Sequence, residues 1–189
     1  AERALRDGKH NQYPPGIGIA PLREAISAHA SRFYGLEVDP GRGVIVTPGA
    51  TVAVFTALMG LIDRGDEVIV IEPYFDSYVP NLVMLGATPV YVPLHPPEWT
   101  LDPDELRAAF TPHTRAILLN TPHNPTGRVF NQAELELIAG LCLEHDVTVI
   151  SDEVYEHLTF DGALHTPIAS LPGMFDHTVT VGSLGKTFS

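Results

Sequence analysis

Val147-Thr-Val-Ile-Ser-Asp-Glu-Val-Tyr155 carries an apolar, β-branched run directly into two carboxylates and a tyrosine. A strand with one wet face alternates polar and apolar residues, whereas a continuous apolar run is buried on both faces. Runs of the same kind recur at Val44-Ile-Val-Thr47, Glu67-Val-Ile-Val-Ile71, Thr88-Pro-Val-Tyr-Val92, Ala116-Ile-Leu-Leu119 and Thr178-Val-Thr-Val181. Helical stretches lie between them at 50–62, 75–85, 102–110 and 131–145, the last opened by Asn131 with Glu134 at capping-box spacing. Pro21–Tyr34 is an amphipathic helix with proline at its first position and Gly35 as its stop. Buried strands with helices between them specify an α/β fold, a three-layer α/β/α domain with a mostly parallel sheet. The proline-rich Pro93–Trp99 reads as a surface excursion between a strand and a helix.

Composition narrows the function. The 189 residues suit one domain or a piece of a larger protein, and 44% hydrophobic content can fill a core. A net charge of −12 argues against nucleic acid or an anionic membrane as partner, since both would be repelled. One cysteine, Cys142, sits in an apolar helical stretch, so there is no disulfide framework and a cytoplasmic, reducing location is expected. No apolar run is long enough for a membrane span, and the charged start, Ala1-Glu-Arg-Ala-Leu-Arg-Asp7, is not a signal peptide. Ala1 opens without a methionine inside a helix tail closed by Gly8, and Ser189 follows with no closing turn chemistry. The expectation is a chain that extends both ways.

Ligands of open α/β sheets bind at the carboxyl ends of the strands. The chemically distinctive residues collect there: Gly49-Ala-Thr51, Tyr74-Phe75, Asn120 with Asn124, Asp152 with Tyr155, and Ser183 with Lys186. Only two lysines occur, Lys9 and Lys186, against nine arginines, so lysine is rarely used here merely to carry charge. A lysine can become a nucleophile when its environment lowers its pKa, as arginine cannot. Gly49-Ala-Thr51 at a helix start is either an ordinary turn or an anion site made of backbone N–H groups. Asp152 is either a helix cap or a buried carboxylate that needs a cation. At about 4 Å a protonated ring nitrogen would gain roughly 4 kcal/mol at an effective dielectric of 20.

Other chemistries fit less well. The Walker pattern is absent, and Gly16-Ile-Gly18 lacks both the preceding strand and the third glycine of a dinucleotide fingerprint. No two histidines stand three or four residues apart, so no helical zinc pair is expected, and His123 reads as a loop-packing residue. A hydrolase elbow, Gly-x-Ser-x-Gly, is missing. Lysine, anion nest, carboxylate and hydrogen-bonding Asn and Tyr together suit a cofactor with an aldehyde, a phosphate, a phenolic oxygen and a ring nitrogen, namely pyridoxal 5′-phosphate.

Asn120-Thr-Pro-His-Asn-Pro-Thr-Gly127, Asp152-Glu-Val-Tyr155 and Ser183-Leu-Gly-Lys186, with Asn11-Gln-Tyr13 and Ile71–Tyr78, resemble the class I/II aminotransferases of pyridoxal-phosphate fold type I. The likeness is to the kynurenine aminotransferase, cysteine-conjugate β-lyase and methionine aminotransferase group, with N-succinyldiaminopimelate aminotransferases nearby. It implies that Lys186 is the Schiff-base lysine and that Asp152 pairs with the ring nitrogen. Asn124 and Tyr155 would hold the phenolic oxygen, Phe75 would stack on the ring, and Asn120 would line the pocket beneath it. Ala50, Thr51 and Ser183 would bind the phosphate. Tyr13 would reach the phosphate of a neighbouring subunit, implying a homodimer with shared active sites.

The resemblance makes residues 1–35 an N-terminal segment with a first helix and a dimer-contact loop, and 36–189 a cofactor-binding large domain incomplete at its C-terminus. The family's second phosphate-binding basic residue and its substrate-carboxylate arginine would lie past Ser189. The implied activity is transfer of an amino group from an L-amino acid to a 2-oxo acid, 2-oxoglutarate being the expected acceptor. A C–S β-lyase using the same cofactor is the alternative, and a non-catalytic regulatory domain is a third.

Overall fold

The sheet forms where β-branched residues are densest, and its two faces sort the side chains by parity. The computed structural model describes residues 2–9 and 11–188 and divides into two compact units, residues 1–48 and 49–189. Ala1 and Ser189, on which the expected extension of the chain was read, lie outside the described residues.

In the larger unit the strands are β1 (Glu67–Glu72), β2 (Thr88–His95), β3 (Thr100–Leu101), β4 (Thr114–Asn120), β5 (Thr148–Asp152) and β6 (Thr178–Val181). Their order is β3-β2-β1-β4-β5-β6, parallel throughout except for the short antiparallel β3 at one edge. Val68, Val70, Ala116, Leu118, Ile150 and Val181 pack in one cluster with Val54, Leu58 and Leu82. The latter three come from helices α3 (Ala50–Leu61) and α4 (Tyr78–Leu85) as these stand in chain order after α1 (Glu2–Asp7) and α2 (Ala20–Tyr34). Ile69, Ile71, Ile117, Leu119 and Val149 point the other way, against Leu106 of α5 (Pro103–Ala108) and Leu135 and Ile138 of α6 (Gln132–His145). This is the expected three-layer α/β/α arrangement with a mostly parallel sheet. Asn131 caps α6 with a reciprocal capping box to Glu134, as its spacing predicts.

Three expectations need correction. Val44–Thr47 is not a strand. It lies in the smaller unit, where the Val46 N–H donates to the Ile17 carbonyl at 3.1 Å, and among the described residues it is not part of any strand. β-propensity describes fit to a partner strand, which a local run does not itself supply. Gly18 is required there: its φ is +92°, and a Cβ would sit 2.6 Å from that of Val46. The surface excursion starts later than expected, since Pro93 and Leu94 are still in β2 and Leu94 pairs with Leu101. The helix expected from residue 75 begins at Tyr78, leaving Phe75 on a loop.

In the smaller unit α2 starts with Pro21 near its first position and ends at Gly35, whose left-handed φ of 67° lets its N–H reach the Ala30 and Ser31 carbonyls. Among the described residues no helix is long and apolar enough to cross a membrane.

Candidate active site

Five parallel strands end on one side of the larger unit, and residues at or beyond the ends of four of them, β1, β4, β5 and β6, help line the site. Asn120 closes β4 and Asp152 closes β5, and the two are register partners on adjacent strands. Asn120 Nδ2 donates to the Asp152 carbonyl at 2.8 Å, while Asn120 Oδ1 accepts from the Asn124 backbone N–H at 2.7 Å. One buried amide thus fixes the end of β5 and the start of the Asn124 loop. Beyond β6, Ser183 caps a one-turn helix, α7 (Leu184–Thr187), by accepting from the Gly185 N–H at 3.1 Å. Thr187 Oγ1 donates to the Val154 carbonyl at 3.1 Å, tying α7 to the turn after β5. Lys186 on this helix is exposed, and its Nζ lies 5.9 Å from the Tyr155 ring centre.

These elements enclose a cleft of about 310 Å³. Ala50, Thr51, Phe75, Asn120, Asn124, Asp152, Tyr155, Ser183 and Lys186 all line it. Tyr13 belongs to the smaller unit, where it is fully exposed. Tyr74 stacks instead on Tyr91, with ring centres 6.0 Å apart.

Asp152 is 6% exposed and is not a helix cap, because only a turn follows it and the Val154 N–H is 3.4 Å from Oδ1. Tyr78, which sequence reasoning did not assign to the site, donates its hydroxyl to Asp152 Oδ2 at 2.6 Å. Burial pushes the Asp152 carboxyl above the usual carboxylate range, against the opposing effect of the Tyr78 and Val154 hydrogen bonds. Burial, reinforced by the Asp152 charge, drives the Tyr78 phenol far up, so it remains a donor. Behind Asp152, Glu153 is also buried and accepts from Ser151 Oγ at 2.8 Å, with His165 Nε2 2.9 Å away. His123 stays out of the cleft lining, bonded to Thr126 Oγ1 at 2.8 Å.

The description "Aminotransferase class I and II" fits residues 1–189. The chain belongs to the class I and II aminotransferase family. It is 49% identical over 190 residues to a human kynurenine–oxoglutarate transaminase, covering 95% of this chain and 45% of that protein. It is 50% identical over 191 residues to a probable N-succinyldiaminopimelate aminotransferase of Mycobacterium tuberculosis, covering all of this chain and 48% of that one. Among solved structures, the Mycobacterium tuberculosis N-succinyldiaminopimelate aminotransferase matches with a TM-score of 0.94 at 49% identity, over 98% of this chain and 50% of that chain. An Escherichia coli protein with a methionine aminotransferase function matches with a TM-score of 0.94 at 37% identity, over 98% and 49%. The chain spans about half the length of the curated relatives it matches.

Members of this aminotransferase family depend on pyridoxal 5′-phosphate. The donor set of the cleft fits that group. Among the described residues no cationic side chain is paired with the buried Asp152, so a ring cation answers its need for a counter-charge. The N-cap of α3 is Gly49, with a φ of +97° and no side chain to fill the space before the first turn, which suits a phosphate at that helix end. Ser77 Oγ, on the cleft wall, is buried without a hydrogen-bond partner.

Proposed function

We propose that this chain is the cofactor-bearing part of an aminotransferase that moves an amino group from an L-amino acid to a 2-oxo acid. The observation that carries the reading is the meeting of Lys186, the buried Asp152 and the first turn of α3, Ala50 and Thr51, at one cleft. Bound pyridoxal phosphate would supply an aldehyde for the amino group and a cationic ring to accept electrons as the substrate's Cα–H bond breaks.

The remaining work falls to this chain. Ala50 and Thr51 offer first-turn N–H groups to the phosphate, and Ser183 adds a hydroxyl. Phe75 covers one face of the cleft and excludes water. Asn124 and Tyr155 would hold the phenolic oxygen by hydrogen bonds, while Asn120 braces the strand ends beneath. Asp152 would hold the ring nitrogen as its carboxylate partner. Lys186 Nζ would be the amine that meets the cofactor's aldehyde and, once substrate has replaced it there, the base that moves the substrate's Cα proton. The relatives named for kynurenine and oxoglutarate support 2-oxoglutarate as acceptor. Tyr13, fully exposed, would reach a neighbouring subunit's phosphate in a homodimer, and the single buried Cys142 suits a cytoplasmic setting.

The test uses the full-length protein. After incubation with pyridoxal phosphate and borohydride reduction, pyridoxyl mass should be fixed on the peptide containing Lys186. Lys186→Ala should abolish transfer while leaving some cofactor bound. Mass on Lys9, or full activity in Lys186→Ala, refutes the reading. Product formed from a cysteine conjugate without any 2-oxo acid would instead mark C–S elimination.

A further inference from the structure

Asp152 has two oxygens, and the protein uses them unequally. Oδ2 accepts the Tyr78 hydroxyl at 2.6 Å, a short bond to a charged acceptor. Among the described residues Oδ1 has only the long 3.4 Å approach of the Val154 N–H, and so retains room for another donor from the cleft. The Tyr78 ring is 2% exposed, packs with Val54 and Leu82, and meets the Phe75 ring edge-on with centres 5.7 Å apart. That packing buries the phenol beside the carboxylate. Tyr78 also lines the cleft itself, beside the carboxylate it holds.

We propose that Tyr78 is a positioning residue: by occupying Asp152 Oδ2 it turns Oδ1 toward the cofactor's ring nitrogen and keeps the shared proton on nitrogen instead of on the carboxylate. This rests on the cofactor reading above. A buried ion pair competes with its neutral form, reached by moving one proton from nitrogen to oxygen, and an apolar wall favours the neutral form. A donor on the far oxygen opposes that transfer because it stabilises the carboxylate and not the carboxylic acid. Tyr155 and Lys186 line the same cleft as Asp152, and Glu153 follows it in the chain. Glu153, being negative, favours a protonated Asp152, against which the Tyr78 hydroxyl and, more weakly at 3.4 Å, the Val154 N–H stabilise the ionised form.

The experiment is a coupling cycle on the full-length protein. Dissociation constants are measured for pyridoxal phosphate and for its analogue with carbon in place of the ring nitrogen, in the native protein and in Tyr78→Phe. The native preference for pyridoxal phosphate should shrink by about tenfold to a hundredfold in the variant, the factor attached to one hydrogen bond to a charged group. In Tyr78→Phe the resonance of ¹⁵N-labelled bound cofactor should also move toward the unprotonated position. Should Tyr78→Phe fold poorly, fluorotyrosine at position 78, a stronger donor of nearly equal volume, should move the preference the opposite way. Equal loss of affinity for both compounds, or a preference untouched by either replacement, overturns the inference alone. Failure of the native protein to bind pyridoxal phosphate at all overturns the cofactor reading and this inference with it.

Discussion

Replacing Asp152 by asparagine separates the charge from the shape of the site. The side-chain oxygen of asparagine can still accept the Tyr78 hydroxyl, which lies 2.6 Å from Oδ2 in the native chain. What disappears is the attraction to a protonated ring nitrogen. At about 4 Å and an effective dielectric of 20 that attraction is roughly 4 kcal/mol, or about three decades in the rate of Cα–H cleavage. Stopped-flow measurement of a single amino-donor half-reaction isolates that step from product release. The full-length Asp152→Asn enzyme should be slowed up to about a thousandfold, and a ring-N-methylated cofactor, cationic at every pH, should partly restore the rate. Without cofactor the same change acts in the opposite direction. Burial raises the folded-state pKa of Asp152, so its ionised form opposes folding as pH rises through that value. The cofactor-free variant should therefore be more stable than the native protein at neutral pH, and urea unfolding measures the difference. A variant within about tenfold of the native rate, or less stable than native when empty, refutes the reasoning.

Two further outcomes follow from residues outside this pair. Mixing full-length Tyr13→Phe with Lys186→Ala subunits should restore activity, because one site of each heterodimer retains both groups; Tyr13→Phe alone should weaken cofactor binding by roughly tenfold to a hundredfold. A fully active monomer refutes the shared site. Burial, then the nearby Arg128 charge, lowers His123 from 6.5 to about 4, so the unfolded chain binds its proton first as pH falls. The stability it contributes is complete above pH 6.5 and is lost between there and about pH 4. The native protein should lose about 2 kcal/mol more than His123→Asn across that window, after allowing for solvent screening.

The sequence made most of the cleft legible because strand ends announce themselves. A buried apolar run followed at once by Asn120 or Asp152 leaves those polar groups only one place to go, the sheet's carboxyl edge. Phe75, Asn124, Tyr155, Ser183 and Lys186 were legible as residues just beyond those runs, although Phe75 was expected in a helix that in fact starts at Tyr78. Tyr78 was not, since it sits in an apolar helical turn and meets Asp152 across 74 residues of chain. The available signal was indirect: a buried carboxylate needs a donor, and Tyr78 is an aromatic hydroxyl at the start of the helix beside the cleft. Val44–Thr47 failed for a related reason, because strand formation depends on a partner that a local pattern does not name. Leu94 failed because its neighbouring prolines read as loop, although β2 accommodates Pro93 just before the two residues that pair with β3.

The pairing of Asn120 with Asp152 on adjacent strands governs which genetic changes this chain can survive. Their separation is set by the backbone ladder, about 4.8 Å between neighbouring strands, and not by how neatly the core is filled. Conservative exchanges among Ile117, Leu119 and Val149 would soften the layer beneath without moving either group along its strand. Loss or gain of one codon within β4 or β5 is different in kind, since side chains alternate faces and a single-residue slip would send Asp152 to the opposite side of the sheet. Variation in length is thus confined to the connections at the far end of the strands, while the strands bearing the site are held to a fixed count.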